Sequence, residues 1–217
     1  MKKILISLSV IGVVAAIAVG GTIAYFSDTE TSAGNTFTAG TLDLKVGNQD
    51  DPNIAVILDN VKPGDTKYEY WTLKNSGSIA GKPYISFGSI LNKENGCTDP
   101  ERDLDASCDN PGDGQGELGS FLYTQMYWRQ GSDSWHQIRL VNYCGDPKLN
   151  ALGAITVGKG LFTGCGIDPA FPVLNTGDEL QVQFRTWWDG RFSTPVDNKA
   201  QGDSSIIDVT FHLDQAL

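Results

Sequence analysis

Histidine is nearly absent from this chain: among 217 residues only His136 and His212 occur, far apart in sequence. The string H-E-x-x-H is missing, so a zinc hydrolase has no obvious ligand set. No G-x-S-x-G elbow is present to carry a nucleophilic serine. Positive charge is short as well, with 16 Lys and Arg against 26 Asp and Glu and a formal net charge of −10. That balance argues against nucleic acid, which demands basic patches, and against an anionic membrane surface. It suits a protein kept soluble until it meets a specific partner. Beyond the N-terminus no helical period is sustained, so any helix is short and sits in a connection. The expectation is a chain that is not an enzyme.

What the sequence does have begins with one long apolar run. Lys2 and Lys3 precede Ile4 to Val19, which is broken only by Ser7, Ser9 and Gly12 and closes on the small residues of Gly20-Gly21-Thr22-Ile23-Ala24. This is the grammar of a signal peptide over residues 1–24. A retained anchor is the alternative, because Ile4 to Ala24 is just long enough to span a bilayer. Small residues at Thr22 and Ala24 favour cleavage between Ala24 and Tyr25. Cleavage there removes two lysines and takes the net charge to −12. Residues 25–36 follow as a polar extended arm that opens Tyr25-Phe26-Ser27-Asp28-Thr29-Glu30-Thr31, with too few apolar residues to fold alone. The remainder, 37–217, is large enough to bury a full core as one all-β domain.

Within that remainder the dominant signal has period two. Leu42, Leu44 and Val46 alternate with Thr41, Asp43 and Lys45. Ile54 to Leu58 is a short apolar run closed by Lys62-Pro63-Gly64-Asp65, and Lys67 to Lys74, Tyr84 to Ile90, Phe121 to Trp128 and Gln137 to Val141 read as further strands. The clearest are two late ones. Leu180, Val182, Phe184, Thr186 and Trp188 alternate against Gln181, Gln183 and Arg185, while Ile207, Val209, Phe211 and Leu213 alternate against Asp208, Thr210 and His212. Strands punctuated in this way by Gly, Pro, Asn and Asp predict an antiparallel sandwich. On that alternation His212 points to the surface, and one of Trp187 and Trp188 must point inward.

Three stretches carry a resemblance. Ala24-Tyr25-Phe26-x-Asp28 with Ser32 leads into Thr36-Phe37-x-Ala39-Gly40-Thr41-Leu42-Asp43-Leu44. Leu58-x-Asn60-x-Lys62-Pro63-Gly64-Asp65 is followed by Leu73-x-Asn75-x-Gly77-Ser78, and Asn198 to Ser204 leads into the last strand. These resemble the TasA/camelysin family, whose members are exported through a SipW-type signal peptidase and form extracellular fibres. The resemblance implies a jelly-roll-like β-sandwich with short helices or loops inserted, secreted to an extracellular matrix or a cell-surface filament. Two cysteine-bearing stretches, Asn92 to Gly119 and Asn142 to Pro172, depart from the simplest members and are expected as insertions near 92–119 and 142–172.

Four cysteines, Cys97, Cys108, Cys144 and Cys165, read as disulfides in an exported chain. Three connectivities are open. The favoured one pairs Cys97 with Cys108 and Cys144 with Cys165, since each pair brackets one inserted loop. Between the first two the chain is acidic, and Asp99, Asp103, Asp105, Asp109 and Asp113 are the candidate metal ligands, with Glu101 and Glu117 among the neighbouring charges. Oxygen donors on a Gly-containing loop suit calcium, although an EF-hand register would need a glutamate where Ser120 stands. Charge runs of this kind are ordinarily a solvated face. No other cofactor is expected.

The function expected is a structural subunit that polymerises head-to-tail with copies of itself, donating the arm from Tyr25 onward as a strand to its neighbour. A SipW-type peptidase and other matrix components are the remaining partners. The alternatives are a camelysin-like metallopeptidase and a monomeric carbohydrate-binding adhesion module.

Overall fold

Alternation along the chain resolves into strands whose inward residues are mostly apolar and whose outward residues are mostly polar or aromatic. The computed structural model describes residues 40–138, 140, 146–153, 155–158, 170–190 and 195–216. Nine strands lie among them: β1 (Leu44–Val46), β2 (Asn53–Leu58), β3 (Thr66–Asn75), β4 (Gly81–Lys93), β5 (Leu122–Arg129), β6 (His136–Ile138), β7 (Thr156–Val157), β8 (Glu179–Trp188) and β9 (Ser204–Gln215). They form a five-stranded sheet in the order β1-β3-β8-β5-β6 and a four-stranded sheet in the order β2-β9-β4-β7. Every pairing between named strands is antiparallel. With β1 set aside, early and late strands interleave in each sheet as in a jelly roll. The fold is an all-β sandwich, and the chain from Gly40 on forms one compact unit.

The core lies between the sheets because each strand turns one face of its pleat inward. On β8 Leu180, Val182, Phe184, Thr186 and Trp188 are buried, and on β9 Ile207, Val209 and Phe211 are. Trp71 and Phe184 of the larger sheet meet Phe87 and Phe211 of the smaller one. Ring centroids are 5.2 Å apart for Trp71 and Phe211 and 5.8 Å for Phe87 and Phe184. Each of these side chains contributes roughly 2 kcal/mol or more by leaving water. Trp188 is the inward tryptophan of its pair, and Trp187 lies on the outer face against Tyr123, 5.5 Å between centroids.

Two expectations need correction. His212 is not simply exposed: it is half-buried, stacks on Tyr84 at 4.4 Å and hydrogen-bonds Ser86 at 2.7 Å. The outer face of the smaller sheet has its own cross-strand pairs, and Tyr84 stands directly opposite His212 in the register. Residues 142–172, where described, are more than an inserted loop. They supply the edge strand β7 and the buried core residues Leu149, Leu152, Val157 and Phe171. By contrast, residues 92–119 do connect β4 to β5 through short helical pieces, Asp99–Arg102, Ala106–Asp109 and Leu118–Phe121.

The signal peptide, the Ala24–Tyr25 junction, the arm from Tyr25 to Thr36, Cys144 and Cys165 lie outside the described residues. Among the described residues no helix is long and apolar enough to cross a membrane.

Candidate functional site: a buried carboxylate centre

Where β4 ends, the chain enters the connection to β5 with a charge it does not leave in water. Glu94, one residue past β4, is 2% exposed. A register shift in the β4–β9 pairing between Phe87 and Ile90 precedes it, a bulge that re-aims the last turn of the strand. The backbone then coils. Thr98 and Glu101 form a capping box at the start of Asp99–Arg102, with the Glu101 Oε2 accepting from the Thr98 amide at 3.0 Å. That reciprocal cap turns the Glu101 side chain back under the helix, where it is 0% exposed. Asp105 caps Ala106–Asp109 by accepting from the Ser107 amide at 3.0 Å and from the Ser107 hydroxyl. A disulfide between Cys97 and Cys108, with Cα atoms 5.5 Å apart, closes this coil.

Two more carboxylates come from further along. Glu117 precedes the helix Leu118–Phe121, and Asp203 precedes β9. Asp203 is 2% exposed, and its Oδ2 accepts from the amides of Glu117 at 2.6 Å and Leu118 at 3.2 Å. Gly116 makes that approach feasible. A Cβ there would stand 2.7 Å from the Lys93 carbonyl and 3.0 Å from the Asp203 Oδ2.

Oxygens of Glu94, Glu117 and Asp203 lie within 4.8 Å of one another, and Glu94 belongs to a second such group with Glu101 and Asp105 beside Cys97. Several oxygens face the interior unpartnered: Oε2 of Glu94, Oε1 of Glu101, Oε2 of Glu117 and Oδ1 of Asp203. The electrostatics show the cost. Burial, then the charges of Glu94, Asp203 and Asp105, push Glu101 up to about 7, against the bond from Thr98. Burial and a shared hydrogen bond with Asp105 push Glu117 up to about 8. Burial and the neighbouring Glu94 push Asp203 up to about 6, against its two backbone donors. Asp105 goes the other way: burial works to raise it, but the Ser107 bonds, the bond to Glu117 and Lys199 hold it below the ordinary carboxylate range.

The five aspartates picked from the sequence do not meet. Of Asp99, Asp103, Asp105, Asp109 and Asp113, only Asp105 joins the centre. The other four are exposed, and Asp113 pairs with Lys93 at 2.9 Å. In sequence, Glu94 and Asp203 stand outside the candidate ligands, and Glu101 and Glu117 read as loop charge only. One signal was available: Thr98-x-x-Glu101 is a capping box, which fixes a glutamate against the backbone rather than in solvent.

A second feature is the outer face of the larger sheet. Tyr68 and Tyr70 stack at 6.3 Å, Tyr70 approaches Trp135 at 6.4 Å, and Arg129 lies 4.6 Å over the Trp135 ring. Further along, Arg185 covers Trp187 at 4.5 Å and Lys148 covers Tyr123 at 3.3 Å. The edges of the sandwich differ in cover. β1 pairs only with Leu73–Asn75 of the ten-residue β3, and the outer side of β2 meets no strand among the described residues.

Comparison with known proteins bears on the first part of the chain. The family model described as camelysin metallo-endopeptidase matches residues 1–86. No curated protein matches the chain. A solved structure titled "AvmM Catalyzes Macrocyclization in Alchivemycin A Biosynthesis" resembles it at 14% identity, over 66% of this chain and 68% of that one. Its TM-score of 0.26 is too low to carry an argument. The metal implied by the description camelysin metallo-endopeptidase can be tested against the donors present. Groups able to hold a metal among the described residues contain carboxylates and the disulfide cysteines but no histidine. His136 lies on β6 and His212 on β9, in different sheets. These donors do not fit a zinc hydrolase site, which draws on imidazole or thiolate.

Proposed function

We propose, from the match of residues 1–86 to the camelysin family model and the resemblance of the same stretch to the TasA/camelysin family, that the chain is an exported structural subunit of extracellular fibres. The family match carries this reading, because it spans the apolar run, the arm and the strands up to the middle of β4. Assembly proceeds by strand donation. The arm from Tyr25 to Thr36 of one copy adds to an open sheet edge of the next, with main-chain hydrogen bonds supplying affinity and alternate side chains supplying register. The edge of β3 is the acceptor, since β1 covers only its last three residues and leaves Thr66 to Trp71 without a strand on that side among the described residues. Donor and acceptor are different surfaces, so the contact is head-to-tail and propagates. Cleavage after Ala24 by a SipW-type peptidase frees the arm, and the protein does no catalysis of its own.

Deleting Tyr25–Gly34 tests this. Negative-stain microscopy of the cleaved protein should show filaments, and the truncated protein should be folded, monomeric and free of them. Normal filaments from the truncated protein would sink strand donation. No filaments from either would sink the fibre reading itself. A second reading, a carbohydrate-binding module, is favoured by the aromatic outer face of Tyr68, Tyr70 and Trp135. It predicts a monomer that shifts on a glycan array and loses that response in Tyr70→Ala.

A further inference from the structure

The carboxylate centre gathers buried charge, and nothing in the fibre reading uses it. Glu94, Glu101 and Asp203 are each at least 98% buried, and each directs one unpartnered oxygen inward. A buried carboxylate without a donor costs several kcal/mol unless something compensates it. Here five carboxylates stand in two groups that share Glu94, four of them keep one oxygen that meets no donor, and Lys199 is the cation felt by Asp105. An evolved fold has little reason to gather them for packing, since leucine or methionine would fill the same space at no electrostatic cost.

We propose that Glu94, Glu101, Asp105, Glu117 and Asp203 form a calcium site that pins the 92–119 connection to the sandwich. The ligand chemistry selects the ion. All donors are carboxylate oxygens, which suit a hard cation and disfavour zinc. Calcium accepts six to eight oxygens at about 2.3–2.6 Å, so ligands on opposite sides of one ion stand about 5 Å apart. Oxygens of Glu94, Glu117 and Asp203, one from each, lie within 4.8 Å of one another, which matches that span, and Glu94 shares a second group of the same spacing with Glu101 and Asp105. Unpartnered oxygens on Glu94, Glu117 and Asp203 are free to enter such a shell, and Glu101, with its own unpartnered oxygen, and Asp105 adjoin them through Glu94. Magnesium, which keeps several waters and a strict octahedron, suits a crowded all-carboxylate cage less well. The ion would join three parts of the chain that are distant in sequence: the exit of β4, the disulfide-closed coil and the entry to β9. Filament formation plays no part in this inference, so it stands or falls separately from the fibre reading.

The test is elemental analysis and calorimetric titration of the full chain, stripped with chelator and then offered calcium, magnesium or zinc chloride. Calcium should bind in preference to the other two, and millimolar calcium should raise the melting temperature by about 5 °C or more over chelated protein. Glu101→Gln and Asp203→Asn should each weaken calcium binding at least tenfold. If those fully buried replacements fail to fold, Glu117→Gln, only half-buried, should fold and show the same loss. A double Asp103→Asn, Asp109→Asn variant should bind like wild type. Identical melts with calcium and chelator overturn the site, as does zinc binding in preference to calcium. Loss of binding in the Asp103/Asp109 variant would move the ligands to the exposed loop and overturn this assignment too.

Discussion

Two sets of carboxylates sit side by side in the connection between β4 and β5, and they behave oppositely. Asp99, Asp103, Asp109 and Asp113 are exposed, and solvent screens them. Glu94, Glu101 and Asp105, interleaved with them, turn inward and meet Glu117 and Asp203. Density of charge along the sequence marks the first set. Membership of the second is decided by backbone devices: the end of a bulged strand, a capping box, an Asp cap and two amides offered by a helix start. Acidic runs therefore report where water is, and the buried centre is built where the chain takes carboxylates away from it.

The largest effect that would break this contrast is Asp203→Ala. It leaves the amides of Glu117 and Leu118 unpartnered at a buried position, at about 1–3 kcal/mol each. Denaturant unfolding in calcium should show a loss of roughly 3–5 kcal/mol; a loss under 1 kcal/mol would mean the centre is not structural.

Next in size is the disulfide. Reducing Cys97–Cys108, or replacing both cysteines by serine, should cost roughly 3 kcal/mol in the chain-entropy model, because the loop it closes is short. Equal unfolding midpoints with and without reductant would show that the coil is held by its caps alone.

A change of sign sharpens the comparison further. In chelator the folded forms of Glu101, Glu117 and Asp203 take up protons at about 7, 8 and 6, above the ordinary values near 4 that they have when unfolded. Between about pH 4 and 8 the folded state then holds more protons than the unfolded one, so this group's contribution to stability falls as pH rises through that window. Glu94, Asp105 and Lys199 face the same space and set the size of the effect. Thermal melts in chelator should drop from pH 5.5 to pH 8.5, and saturating calcium should flatten the trend. Glu117→Gln should raise the chelated melting temperature by a few degrees and lower the calcium-bound one. A shift in the same direction under both conditions would refute like-charge repulsion as the cause.

The smallest effect belongs to the exposed set. Asp103→Asn and Asp109→Asn should each change stability by less than about 0.5 kcal/mol. Breaking the exposed Lys93–Asp113 pair with Asp113→Asn should cost under about 1 kcal/mol. Larger losses, measured by denaturant midpoint, would erase the distinction between the two sets.

What the sequence by itself determined is the class of the fold. Period-two alternation at Leu180 to Trp188 and Ile207 to Phe211 fixes which side chains face inward, because a pleated strand offers each residue only two directions. The match of residues 1–86 to the camelysin family model likewise depends only on local residue order. Tertiary structure alone decided the rest. Strand neighbours such as β2 with β9 and β3 with β8 are set by how two sheets close over one core, not by local pattern. His212 met Tyr84 because register placed them opposite. Glu94 and Asp203 became one centre because β4 and β9 pair antiparallel, which brings the exit of one beside the entry of the other. No spacing rule along a single chain encodes that meeting, since the separation between such residues is whatever the intervening strands consume.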